Sequence, residues 1–300
     1  PPPPPPPPPP PTFFIQAEDG IRPLVRSRGL GDVYKRQFWN LILKSSHDKP
    51  IAVMAIYFSS LPLALGGLLI AGIPDLTALP VILLSAMLQT GYSISLFKAY
   101  DRGPLSSVYP VARGSAPLFI FGLSYIFFDP IISAETLAGI FVICSGLVIY
   151  GLFQLWQKRE ESREVTVALF TGLFIALYSI TDAYGVRTVG SALSFFGAMA
   201  LFNRLFLFFY LVVLERDFLP RLASGYKHSF VLGGLISFVC YLIVLSAYQH
   251  LPVALVSSLR ETSILFAVLL GVLALKEKFT LDKVVLVTLL VVGVVILYCA

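Results

Sequence analysis

An all-α, polytopic membrane protein is the fold class that this sequence predicts, and three observations predict it. Of its 300 residues, 57% are hydrophobic and only 13% charged, against about 25% charged in an ordinary soluble domain. The charge is gathered into short clusters that leave apolar runs of roughly 18–24 residues between them, and ~20 such residues at ~1.5 Å rise each cross a hydrocarbon core ~30 Å thick. Lysine and arginine, finally, fall almost entirely in every second loop, as in a chain threaded back and forth across a bilayer.

Taken in order, nine segments qualify as spans: 51–74, 78–99, 105–128, 134–156, 165–187, 192–214, 229–249, 252–275 and 281–299. Connections are short, the longest being the roughly fourteen residues after Leu214, so no soluble domain is lodged between spans. One set of alternate loops carries Lys44, Lys49, Lys98, Arg102, Lys158, Arg159, Arg163, Arg216, Arg221, Lys227, Lys276, Lys278 and Lys283. The other set carries Arg187 alone. The first set is therefore assigned to the cytoplasm and the C-terminus to the opposite side, as expected of a multi-pass protein of the plasma membrane, here a bacterial inner membrane. The net charge of +5 is placed at helix ends and in the N-terminal stretch, which argues against a nucleic-acid partner. Cys144, Cys240 and Cys299 lie inside apolar runs without CxxC or His/Cys spacing, so neither a metal site nor a disulfide framework is read from them. No cofactor is implied, and the absence of a G-x-x-x-x-G-K motif disfavours direct ATP drive.

The chain also repeats itself. A shift of 148 residues places Ala99-Tyr100 on Ala247-Tyr248, Pro104 on Pro252, Val108 on Val256, Ser115 on Ser263, Asp129 on Glu277 and Tyr150 on Tyr298. The shift holds five helices, an odd number, so the second half enters the membrane upside down relative to the first. Inverted repeats are an architecture of secondary transporters, with the substrate site near the midplane at the repeat interface.

The stretch "LFKAYDRGPLSSVYPVARGSAPLFIFGLSYIFF", its counterpart "LSAYQHLPVALVSSLRETSILFAVLLGVLALKEKFT" and the run "FWNLILKSSHDK" resemble the EamA-type drug/metabolite transporter superfamily over residues 38–300. That resemblance implies ten helices in two inverted five-helix halves, residues 38–160 and 161–300 here, moving metabolites by alternating access. It implies export more often than uptake. This chain shows nine complete spans, with the first helix of the family pattern largely missing.

Five charged residues fall inside spans, where each is a functional-site candidate by default: Arg113, Asp182, Arg204, Arg260 and Glu261. Arg113 and Glu261 are equivalent under the 148-residue shift and lie at similar depth, ~12 Å from their helix starts at the helical rise. Helical spacing places Ser106, Tyr109 and Arg113 on one face, with Ser115 beside them, and Ser257 and Glu261 on another, with Ser258 and Thr262 beside them. The two stripes suggest one shared cavity. Pro110 and Pro117 are expected to kink their helix and free carbonyls toward it. Two readings of Arg113 and Glu261 stay open: a buried ion pair closing the halves together, or contacts for substrate and coupling proton, with Glu261 as the proton-carrying carboxylate. Three midplane arginines favour a small anionic or zwitterionic metabolite, such as an amino acid, organic acid or organic phosphate, since guanidinium suits carboxylate and phosphate alike. Tyr178 and Asp182, one turn apart near the outer end of their helix, are expected to line an outer vestibule, with a satisfied interfacial Asp182 as the equal alternative. Tyr92 and Tyr241 read as packing residues, and the glycines of "GGLLIAG" and "GIFVICSG" as sites of close helix approach.

The function expected is therefore a secondary transporter whose partners are a small-molecule substrate, membrane lipid and a coupling proton, and which works as a monomer or homodimer. A flippase for a lipid-linked sugar, an intramembrane enzyme and a non-transporting scaffold are the alternatives. The enzyme is disfavoured by the lack of midplane histidine and of a Ser/His pair. Residues 1–37 stand apart. Under the shift, the helix at 165–187 has its counterpart near 17–39, a window with five Lys/Arg and three Asp/Glu that cannot span a membrane. "QAEDGIR" and "SRGLGDVYKRQ" resemble translated sequencing-adapter sequence, so 1–37 is expected to be a non-native segment outside the bundle.

Overall fold

A computed structural model describes residues 48–102, 105–128, 133–158, 162–215, 217–225, 228–265, 268 and 280–299. The segment 1–37, and with it the expectation of a non-native N-terminus, lies outside the described residues. So do the helix-end carboxylates Asp129 and Glu277.

The first expected span is two helices. Asp48 caps α1 (Lys49–Ser59), accepting a hydrogen bond from the Ile51 amide at 3.3 Å. At Ser60 the chain breaks: its amide folds back on the carbonyls of Ile56 and Tyr57, and α2 (Leu61–Ala71) starts with Pro62 in its first turn. Pro62 has no N–H to continue the ladder, and the hydroxyls of Ser59 and Ser60 take up the carbonyls of Ala55 and Tyr57, at 2.7 and 2.9 Å. Gly72, at φ +84°, ends α2, a conformation open to glycine at little cost.

A 3₁₀ turn at Leu76–Ala78 leads into α3 (Leu79–Arg102), followed by α4 (Leu105–Phe128), α5 (Ala134–Lys158) and α6 (Ser162–Val189). Ser191 caps α7 (Ala192–Leu214), its side chain accepting from the Ser194 amide. Then come α8 (Phe218–Gly225), α9 (His228–His250), α10 (Val253–Arg260) and α11 (Leu281–Cys299). Helix α4 runs unbroken through Pro110 and Pro117. The interruption lies in the equivalent helix instead. There α10 closes at Glu261, whose amide turns back to Ser258 and Leu259. The short α8 was invisible to hydropathy because only one face is apolar: Phe218 is buried and Arg221 exposed.

Six stretches are long and apolar enough to cross a membrane, among the described residues: Pro50–Ala71, Leu76–Leu96, Ala134–Phe153, Thr166–Val189, Ala192–Leu214 and Phe230–His250. Side chains such as Leu69, Ile70, Trp156, Phe209 and Val213 point outward, an apolar surface that a soluble protein would hide and a bilayer accepts. The interior is polar by comparison, holding Asp182, Asn203, Arg204 and Glu261. Helix α5 packs along α11, α4 along α6, α3 along α6 and α7, α2 along α7, and α9 along α1. Gly139 and Gly146 let α5 come close to α11: a Cβ on Gly139 would stand 3.1 Å from the Gly293 carbonyl oxygen, and one on Gly146 2.9 Å from the Leu289 side chain.

Candidate functional site

The broken helices and the polar stripes surround a cavity of about 490 Å³, within the range of small-molecule pockets. The break between α1 and α2 supplies Tyr57 and Ser60, α3 supplies Gln89 and Tyr92, and α4 supplies Arg113. From the second half come Tyr178 on α6, Phe196, Asn203 and Arg204 on α7, Phe238, Cys240 and Tyr241 on α9, and Arg260, Thr262 and Ser263 at the end of α10. Aromatic edges fill much of its wall. Tyr178 meets Tyr92 edge-on with ring centres 5.6 Å apart, and Phe196 stacks on Phe238 at 4.7 Å.

The three arginines differ in what they hold. Arg204 is consumed by the helix break: Nε donates to the Tyr57 carbonyl at 2.7 Å, Nη1 to the Ala200 carbonyl at 2.6 Å and Nη2 to Ser60 Oγ at 2.6 Å. The carbonyl end of a helix carries partial negative charge and attracts a cation. Arg113 reaches Glu261 with two parallel bonds, Nε to Oε2 at 2.8 Å and Nη2 to Oε1 at 3.0 Å, the fork geometry that makes such pairs strong. Arg260 makes no hydrogen bond among the described residues. Its Nε is buried without a partner and lies 3.9 Å from Glu261 Oε1, while the side chain keeps 20% of its surface open and lines the cavity.

A second polar cluster adjoins the cavity. Asp182 on α6 is fully buried. Ser85 donates to its Oδ1, and Gln89 Nε2, at 3.1 Å, and the Tyr241 hydroxyl donate to its Oδ2. Gln89 Nε2 lies 3.2 Å from the Tyr241 hydroxyl as well. Asn203 ties α7 to α3, its Nδ2 donating to Thr90 Oγ1 at 3.0 Å.

Of the residues singled out in the sequence, the structure brings Arg113, Arg204, Arg260, Thr262 and Tyr178 to the cavity wall and sets Glu261 just behind Arg113. Ser115 faces elsewhere: its hydroxyl turns to the Ala112 carbonyl at 3.2 Å and fills the notch left by Gly172 on α6. Ser257 is buried, away from the wall. Tyr109 sits on α4, with its side chain outside the described residues. Tyr178 and Asp182, expected in an outer vestibule, are both buried, Tyr178 on the cavity wall and Asp182 in contact with α3 and α9. Sequence reasoning missed Tyr57, Ser60, Ser85 and Gln89 and read Tyr92 and Tyr241 as packing. The spacing of Ser85, Gln89 and Tyr92, a single helical face, was the available signal.

Comparison with known proteins agrees with this architecture. A solved structure, "Crystal structure of protein", shares the fold with a TM-score of 0.66 over 89% of this chain and 94% of that one, at 15% identity. No curated protein matches the sequence. The model of the EamA-like transporter family matches residues 162–299, the stretch that supplies Tyr178, Arg204, Tyr241 and Arg260 to the cavity. The chain, helical among its described residues, is accordingly a multi-pass membrane protein and a transporter of small molecules, its residues 162–299 matching the EamA-like transporter family.

Proposed function

We propose that the chain is a secondary active transporter that moves small anionic or zwitterionic metabolites by alternating access. The observation that carries this reading is Arg260: a guanidinium on the wall of a central cavity, without a hydrogen-bond partner among the described residues. A guanidinium whose hydrogen-bond donors are left open in a membrane interior is costly, and a carboxylate or phosphate entering the cavity offsets that cost. The aromatic wall accommodates the apolar part of the same solute.

Inverted halves, residues 38–160 and 161–300, are supported by which residues meet across the cavity. Under a two-fold pseudo-axis, equivalent positions meet only on the axis. Arg113 and Glu261 are in contact and 148 residues apart, the repeat shift itself. Arg204 and Tyr57 are 147 apart, and Gln89 and Tyr241 are 152 apart. These separations support a cavity between two pseudo-equivalent halves, where rocking of one against the other would expose it to alternate sides. Loop charge supports a cytoplasmic N-terminal side and an outside C-terminus in a bacterial inner membrane, and a cell that accumulates the metabolite would export it.

Counterflow into liposomes tests the substrate class. Protein reconstituted with L-glutamate, succinate, glycerol 3-phosphate, lysine or glucose inside is expected to exchange at least one of the first three for its labelled form. Exchange confined to lysine or glucose would contradict the reading.

A further inference from the structure

We propose that Asp182 is the proton-binding site of this transporter, and that its proton is bound together with the anion held at Arg260. The inference rests on the anion-transport reading above and concerns what accompanies the anion.

Asp182 is the buried carboxylate whose hydrogen-bond partners are all neutral: Ser85, Gln89 and Tyr241. Glu261, on which the sequence placed proton coupling, is gripped at two points by Arg113 and has Arg260 beside it. The groups that face Asp182 from the surrounding helices are few. Helix α3 presents Ser85 and Gln89, α9 presents Tyr241 and, at longer range, Tyr248, and Tyr178 stands one turn away on α6 itself. Helix α10 presents Arg260, whose charge acts on the carboxylate through space without a hydrogen bond. The charged side chains of the other two neighbours, α4 and α7, are engaged elsewhere, Arg113 by Glu261 and Arg204 by backbone carbonyls.

This arrangement links the two sites. Gln89 and Tyr241 line the cavity and also donate to Asp182, so an anion beside Arg260 that takes one of these donors leaves the carboxylate short of a partner and favours uptake of a proton from the aqueous phase onto it. Linkage is reciprocal, so the proton favours the anion equally. Proton uptake also changes what Asp182 offers its neighbours. An ionised carboxylate only accepts hydrogen bonds, whereas a protonated one must donate, so one of its three donors has to turn away. Tyr241 and Gln89 both line the cavity, and either can redirect its donor to the bound anion. Proton and anion then travel in the same direction.

Titration calorimetry on the purified full chain tests this. A mixture of L-glutamate, succinate and glycerol 3-phosphate is injected in buffers of differing ionisation heat, which gives the protons taken up per anion bound. The wild type is expected to take up on the order of one proton, Asp182→Glu to retain the uptake, and Asp182→Asn to bind with none. Wild-type binding without proton uptake overturns the proposal even if no variant folds, as does uptake that persists in Asp182→Asn. Absence of any binding heat sinks the anion-site reading, and the coupling with it.

Discussion

At the scale of single residues, the three membrane arginines are alike in the sequence and unlike in the fold. Arg204 is spent on carbonyls, Arg113 on Glu261, and Arg260 is open to the cavity. Glu261→Gln is expected to leave the half-buried Arg113 without its counter-charge, a loss below the about 3–5 kcal/mol of fully buried pairs. The double variant Arg113→Met, Glu261→Met is expected to regain most of that loss. Thermal unfolding in detergent checks both, and a double variant less stable than the single one would show that the pair is more than mutual neutralisation. The equivalence of Arg113 and Glu261 was legible from the repeat shift, and so was their candidacy as a pair. Gln89, Tyr57 and Ser60 were not legible, because an uncharged polar side chain costs little in a helix and its partners lie on other helices.

At the scale of elements, hydropathy placed the limits of α4, α7 and α11 where the backbone has them, since burial in a bilayer demands an apolar run of set length. It passed over the breaks at Ser60 and Glu261, because it measures transfer from water and says nothing of hydrogen-bond continuity. The cluster Ser59-Ser60-Leu61-Pro62 held the missing signal in its back-bonding hydroxyls and its proline. Helix contacts give two contrasting expectations. A side chain at Gly172 would meet Ser115 Oγ and stand 2.8 Å from the Ala112 carbonyl oxygen, so Gly172→Val is expected to destabilise the α4–α6 contact by roughly 1–3 kcal/mol. At Gly66 nothing lies within 4 Å, so Gly66→Ala is expected to stabilise α2 by up to about 1 kcal/mol through helix propensity. Melting temperatures that move the same way in both would contradict this account of the packing.

At the scale of the molecule, a loop-charge alternation, an internal shift and a set of buried charges pointed to two facing halves before any helix was placed. The fold supplies what those patterns lacked, a cavity lined by the buried arginines and a division of labour among its charges. The claim that most depends on this arrangement is that Arg260 holds the anion in transit. Guanidinium contact with carboxylate or phosphate is two-pronged, and lysine does not reproduce it. Initial rates of counterflow for L-glutamate, succinate and glycerol 3-phosphate, compared between wild type and Arg260→Gln at equal amounts of folded protein in liposomes, test it most directly. The account predicts that the variant loses at least about tenfold in the rate of whichever anion the wild type carries, equivalent to about 1.4 kcal/mol, with Arg260→Lys intermediate. Wild-type rates for every anion in Arg260→Gln would contradict it.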